Sequence, residues 1–259
     1  MFRQPDSLYA GVLLCSAIIL AVVGGCLFWL RMPGDERLHN YRLSRRFAGW
    51  AYLSLAFTDV LWLLFPLKEQ ELDFTRILVL AVAAVQATMF SGALVTLVNH
   101  AFPLSRGIRR HLLAVAAGTA LLFGCMYLLP RAFPVFFRLA AAAYCVQIAL
   151  FVRTFVREYR ACRRKLDNFF SDDEMRRLRW VAVSFGMAAV IGLAAAAWSV
   201  SGLGMPCLFA FTGVYMVFYT FFGMKYINYP AEFGRIAPVI AGDVPEPQTA
   251  GGEYPHGAR

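Results

Sequence analysis

Of 259 residues, 59% are hydrophobic and 16% charged, whereas soluble domains run near 45–50% apolar and about 25% charged. A soluble fold of this length could not hide so much apolar surface, and the length suits one helical bundle rather than two domains. The net charge of +9 is not a nucleic-acid footprint, because the cations sit in short loops between apolar segments; no nucleic-acid contact is expected.

A bilayer core of about 30 Å takes roughly 20 apolar residues per helix. Seven segments meet that need: 8–30, 47–65, 77–98, 112–129, 135–156, 180–200 and 207–224. The first is too long for the apolar region of a signal peptide, and its positive cluster follows rather than precedes it, as in a retained helix with its N-terminus outside. Pro66 and Pro130 close the second and fourth segments. Twenty Lys and Arg side chains fall after odd-numbered segments and five fall on the other side. The positive-inside rule then orients the chain with its N-terminus outside and its C-terminus in the cytoplasm. The expected fold is all-α: a polytopic seven-transmembrane helix bundle over residues 1–229, followed by a flexible cytoplasmic tail over 230–259 that is rich in Pro and Gly.

Small residues recur every fourth position, as in Ala17/Ala21/Gly25, Ala84/Thr88/Gly92, Ala116/Ala120/Gly124 and Ala188/Gly192/Ala196. Such stripes let backbones approach closely. They imply packing within the chain, with a homodimer as the alternative. The aromatic residues of the seventh segment near Lys225 read as an interfacial belt, and the rest line a pocket or face lipid, with packing and lipid contact the favoured reading. Five of the six cysteines lie in apolar runs and read as small buried packers. The four histidines have no ligand spacing, so neither a metal site nor a cofactor is expected.

Asp59 is the one acid inside an apolar span, where ionisable groups are expensive. It is a candidate proton, cation or ligand site, or else a hydrogen-bonded tie between helices. Gln86, Ser91 and Gln147 are the other polar groups at depth. Interhelical hydrogen bonds would explain them, and a ligand cavity shared by Asp59, Gln86 and Gln147 is the functional reading. No GxSxG, HExxH, P-loop or ATP-binding glycine box occurs, so an enzyme is not expected.

The longest loop carries a local design. Ser171 followed by Glu174 forms a capping box, with Asp172 and Asp173 in the first turn, where the helix dipole favours acids. Asp172 with Arg176, and Asp173 with Arg177, have i,i+4 spacing. A helix therefore begins near Ser171, and the preceding helix extends through Asp167, with Asn168, Phe169 and Phe170 between them. The surface from Asn168 to Arg177 is a candidate contact for a separate cytoplasmic output protein or for anionic headgroups of the lipid bilayer. Its plain reading is a capped hairpin whose arginines set topology.

The run 165–180, KLDNFFSDDEMRRLRW, resembles a motif in bacterial membrane regulators that join a polytopic N-terminal region to an AraC-type helix-turn-helix domain. Lys225-Tyr226-Ile227-Asn228-Tyr229-Pro230, Arg3-Gln4-Pro5 and Ser44-Arg45-Arg46 fit the same family, and the resemblance covers roughly residues 1–240. It implies a sensory or signal-transmitting region in the bacterial inner membrane. The sequence ends at Arg259 without room for a DNA-binding domain, so DNA binding is not carried over. A small transporter or channel, or a scaffold without ligand, are the alternative classes; no internal repeat of the kind found in transporters is present.

Overall fold

The computed structural model describes residues 5–30, 39–64, 72–99, 104–167, 172–201 and 205–230. Among them the fold is entirely helical: α1 (Pro5–Trp29), α2 (His39–Leu64), α3 (Leu72–Val98), α4 (Leu104–Leu128), α5 (Phe133–Asp167), α6 (Asp172–Ser201) and α7 (Met205–Asn228). Seven helices, as expected, are long and apolar enough to cross a membrane. Proline marks several starts: Pro5, Pro134 and Pro206 each lie in a first helical turn, where the missing N–H costs nothing. Pro130 sits in the tight α4–α5 turn, closed by the Ala132 and Phe133 amides donating to the Leu129 carbonyl at 2.9 and 3.0 Å.

Hydrogen bonds across the bundle set the directions. Ser44 and Gln86 tie α2 to α3 through the carbonyls of Ala93 and Ala51, an antiparallel register. Tyr41 and Tyr52 bond the carbonyls of Tyr226 and Tyr219, which makes α7 antiparallel to α2. Gln147 to Thr88 and Asn99 to Glu158 place α5 parallel to α3. One end of the bundle thus gathers the end of α1, the start of α2, the end of α5 and the end of α7, with most of the arginines. We call it the basic end.

α5, at 35 residues, is about 52 Å long at 1.5 Å per residue. It overruns its apolar segment at the basic end, and α6 begins there at Asp172. The helical extension expected on both sides of the longest loop is present. Asn168, Phe169, Phe170 and Ser171, and with them the capping box, lie outside the described residues, as does the tail beyond residue 230.

The core is bimodal. One cluster joins α1, α2, α3, α5, α6 and α7 around Tyr52, Leu94, Phe222 and Tyr226; a smaller one joins α3, α4, α5 and α6 around Ile77, Phe137 and Tyr144. α3 is central, whereas α4 is peripheral and packs mainly on α3. The outward faces are as apolar as the core, with Ile18, Phe57, Leu121, Leu139, Val190 and Val217 all exposed. In water such a surface would be an aggregation liability.

The small-residue stripes behave differently from one another. Ala84, Thr88 and Gly92 are buried on α3, but Ala116 and Ala120 face outward on α4 and nothing approaches Gly124. On α1 the close approach to α2 falls at Gly24, not in the expected register of Ala21 and Gly25. The cysteines also divide: Cys125 and Cys162 are buried, while Cys15, Cys145 and Cys207 face outward instead of packing.

Candidate functional site

Near the middle of the bundle, displaced away from the basic end, lies a cavity of about 120 Å³ lined by every helix except α4. Its walls are apolar, with Leu55, Phe90, Ile148, Phe185 and Phe211 among them, and a few polar groups converge on it. An apolar hollow with a handful of fixed polar groups is the usual composition of a small-molecule site.

Asp59 is 3% exposed. Its carboxylate is held by two hydroxyls: Ser16 of α1 donates to Oδ2 at 2.6 Å, and Tyr215 of α7 donates to Oδ1 at 2.7 Å. The acid therefore ties three helices together. No ion pair among the described residues includes it. Gln86 is anchored by its Nε2, which donates to the Ala51 carbonyl and to Ser54 Oγ, both at 2.9 Å. A carbonyl only accepts, so the amide can be held only this way round. Its Oε1 is left buried without a partner among the described residues, as is the Tyr144 hydroxyl on α5.

Asp59 and Gln86 thus line one cavity, as the sequence suggested. Gln147 does not join them. It lies in a separate groove between α3, α4 and α5, of about 650 Å³, where its Nε2 donates to Thr88 Oγ1 at 2.9 Å. Ser91 borders both spaces. Asp172, Asp173, Glu174, Arg176 and Arg177 fall in the first two turns of α6, and their side chains lie outside the described residues.

Sequence reasoning missed the role of α7. Its aromatic residues line the bundle interior rather than an interfacial belt: Phe222 and Tyr226 are 0% exposed, and Tyr215, Phe218, Tyr219 and Tyr229 are all buried. Only Phe221 of the inner-end group faces outward. The buried rings form a continuous ladder. Tyr215 follows the cavity wall to Tyr219 (centroids 6.3 Å apart); Phe90 bridges Tyr219 to Phe222 (4.9 Å on each side); Phe222 leads to Tyr226 (5.3 Å). At the basic end Trp180 lies edge-on to Tyr229 at 4.8 Å, and Tyr41 stacks on Tyr226 at 5.4 Å.

Hydrogen bonds lock that ladder to α2. Tyr52 donates to the Tyr219 carbonyl at 2.6 Å and Tyr41 to the Tyr226 carbonyl at 2.7 Å. Ser44 spends its one proton on the Ala93 carbonyl, so the Tyr226 hydroxyl is the donor in its 2.5 Å bond to Ser44 Oγ. The reach of Tyr52 is made possible by Gly223: a Cβ there would stand 3.0 Å from the Tyr52 hydroxyl and 2.5 Å from Val23. The available signal in the sequence was the spacing 215, 219, 222, 226 and 229, which is one helical face.

Fold and site together define an all-helical bundle, with seven helices of membrane-spanning length and composition, enclosing a polar-studded apolar cavity. No family model, curated protein or solved structure matches this chain.

Proposed function

We propose that this chain is a multi-pass protein of the bacterial inner membrane acting as a sensor-like, non-catalytic, signal-transmitting module. Its N-terminus lies outside, its C-terminus lies in the cytoplasm, and the basic end is cytoplasmic. The cavity takes a small ligand from outside, and the α7 ladder carries the displacement to the tail. The observation that carries this reading is the Asp59–Tyr215 hydrogen bond. It puts a polar group of the cavity on the same helix, and in the same row of rings, as the segment that leaves the bundle.

Three further observations support it. The outward apolar faces suit lipid. The basic end gathers the cations that membrane topology rules place inside. Three of the four stretches that resemble AraC-type membrane regulators, around Ser44, Trp180 and Tyr226, also meet there, through the Ser44–Tyr226 bond and the Trp180–Tyr226 ring contact at 6.2 Å. A resemblance to the membrane region of such regulators predicts an output at this end, through a partner or a homodimer.

Orientation is checked by labelling single cysteines in a background lacking the native ones. Arg131→Cys should react with an impermeant maleimide in intact cells, and Arg164→Cys only after permeabilisation; the reverse pattern overturns the topology. Signalling is checked by energy transfer between reporters fused behind α7, while envelope stresses and small external metabolites are screened. A ligand-dependent change that is lost in Asp59→Asn is expected. A small transporter would use the same cavity. It would show ligand uptake without any change between the reporters.

A further inference from the structure

The polar groups of the cavity define what it can hold. No Lys, Arg or His among the described residues lines it, so an anion would find no described cation there and would face the buried Asp59 carboxylate. Each Asp59 oxygen accepts one hydroxyl and keeps further lone-pair capacity. A buried carboxylate supported only by neutral donors leaves its charge uncompensated, and a cation with N–H donors is the complement that restores it. The second polar pole is the Gln86 Oε1 and the Tyr144 hydroxyl, 6% and 3% exposed as residues and without partners among the described residues. Either is an unused partner for a ligand hydroxyl, which can donate to the amide oxygen or exchange a bond with the phenol. Gln86 is anchored at Ser54, five residues along α2 from Asp59, or about 7.5 Å of helix. Between the poles the lining is apolar and aromatic, and the hollow, about 120 Å³, is of the order of the roughly 150 Å³ apolar cavity known to hold one benzene ring.

We propose that the cavity binds a small hydroxyaryl alkylamine, its ammonium on Asp59, its ring among Phe90, Phe211 and Ile148, and its hydroxyl on Gln86 Oε1 and Tyr144. The inference rests on reading the cavity as the ligand site of the module and adds the chemistry of the ligand.

The test uses the full chain, purified into lipid nanodiscs, and four probes that dissect the two poles: 4-hydroxyphenethylamine, phenethylamine, 4-ethylphenol and ethylbenzene. Binding is read by calorimetry and by ligand-induced thermal stabilisation, to about 10 mM, the weak end of useful affinity. The hydroxylated amine should bind tightest. Asp59→Asn should weaken both amines at least about tenfold, the value of a charge-assisted hydrogen bond, and leave 4-ethylphenol nearly unchanged. Tyr144→Phe removes a hydroxyl that holds nothing else, so the fold should survive. It should weaken 4-hydroxyphenethylamine several-fold and phenethylamine not at all, which keeps the test valid if Asp59→Asn fails to fold. Equal affinity for 4-ethylphenol and the amines, amine binding indifferent to both substitutions, or no binding by any amine overturns the proposal. The reporters behind α7 separate the two ideas. A reporter response to another compound with no amine binding removes the amine and keeps the sensor. Amine binding without a reporter response keeps the ligand class and removes the sensor.

Discussion

Gly223→Leu should destabilise the bundle by about 3 kcal/mol, the upper range for overpacking a well-filled core. Gly223 is buried on α7 where α1 and α2 close in. Even the first carbon of a side chain would stand 2.5 Å from a Val23 methyl and 3.0 Å from the Tyr52 hydroxyl. Val23 is β-branched and stiff, and Tyr52 is pinned by its bond to the Tyr219 carbonyl, so neither can step aside cheaply. Removing a helical glycine returns roughly 0.8–1 kcal/mol of propensity, less than the clash costs. Thermal unfolding in detergent should show a lower midpoint. Gly107→Leu on α4, where nothing lies within 4 Å of the added carbon, should show no such loss. Equal midpoints for the two variants would mean that α7 does not pack against α1 and α2 as described.

The second large effect lies at Asp59. Asp59→Ala should cost about 1–3 kcal/mol, and mainly through one partner. A serine that loses its acceptor can turn back to the carbonyl four residues earlier on its own helix, so Ser16 is easily satisfied. The Tyr215 hydroxyl has no such option on its own helix and can turn only to the Ser16 hydroxyl beside it, a weaker acceptor than the carboxylate it loses. Tyr215→Phe in the Asp59→Ala background should therefore recover most of the stability, because removing both partners of a buried bond is far less costly than removing one. A double-mutant cycle on the unfolding midpoints measures this, with a coupling of roughly 0.5–3 kcal/mol expected for groups in contact. Additive losses would show that the carboxylate and the phenol do not meet. Stability recovered without recovered ligand response would separate the structural part of Asp59 from its binding part.

The number of helices, their approximate places and Asp59 as the acid worth attention were all legible in the sequence, because each depends on local composition and segment length. Facing was not. In a soluble bundle the buried stripe of a helix is written as a period of apolar residues against polar ones. Here Phe221 faces outward and Phe222 inward, with the same kind of side chain on both faces, so composition is silent about which is which. For the α7 aromatics the pocket-lining and packing readings hold at Tyr215, Tyr219, Phe222 and Tyr226, and the belt beside Lys225 gives way to buried rings. Gln147 makes the interhelical hydrogen bond expected of it, to Thr88, but nothing along α5 says whether it faces Asp59 or the groove beside α4. Glycines at close approaches were equally hard to read. Gly24 and Gly49 meet across the α1–α2 contact and Gly223 meets α1 and α2, outside any expected stripe; Gly192, in the expected α6 stripe, does close on Tyr144 and Ile148 of α5, whereas the tidy four-residue stripe on α4 faces outward. Interhelical partners separated by 43 and 156 positions, as Ser16 and Tyr215 are from Asp59, leave no local trace.

That last separation bears on how the protein is made. The ribosome finishes α2 long before α7: 156 residues take roughly 10–30 s at ordinary elongation rates. Throughout that interval Asp59 has Ser16 available on α1, but its tyrosine has not been synthesised. An acid in hydrocarbon raises the cost of settling α2 in the bilayer, so the early helices should remain loosely committed, accessible to the insertion machinery and to quality-control proteases, until α7 arrives with the second hydroxyl. The Asp59–Tyr215 bond can close only once α7 is in place, so the last helix completes the tie that the second one begins.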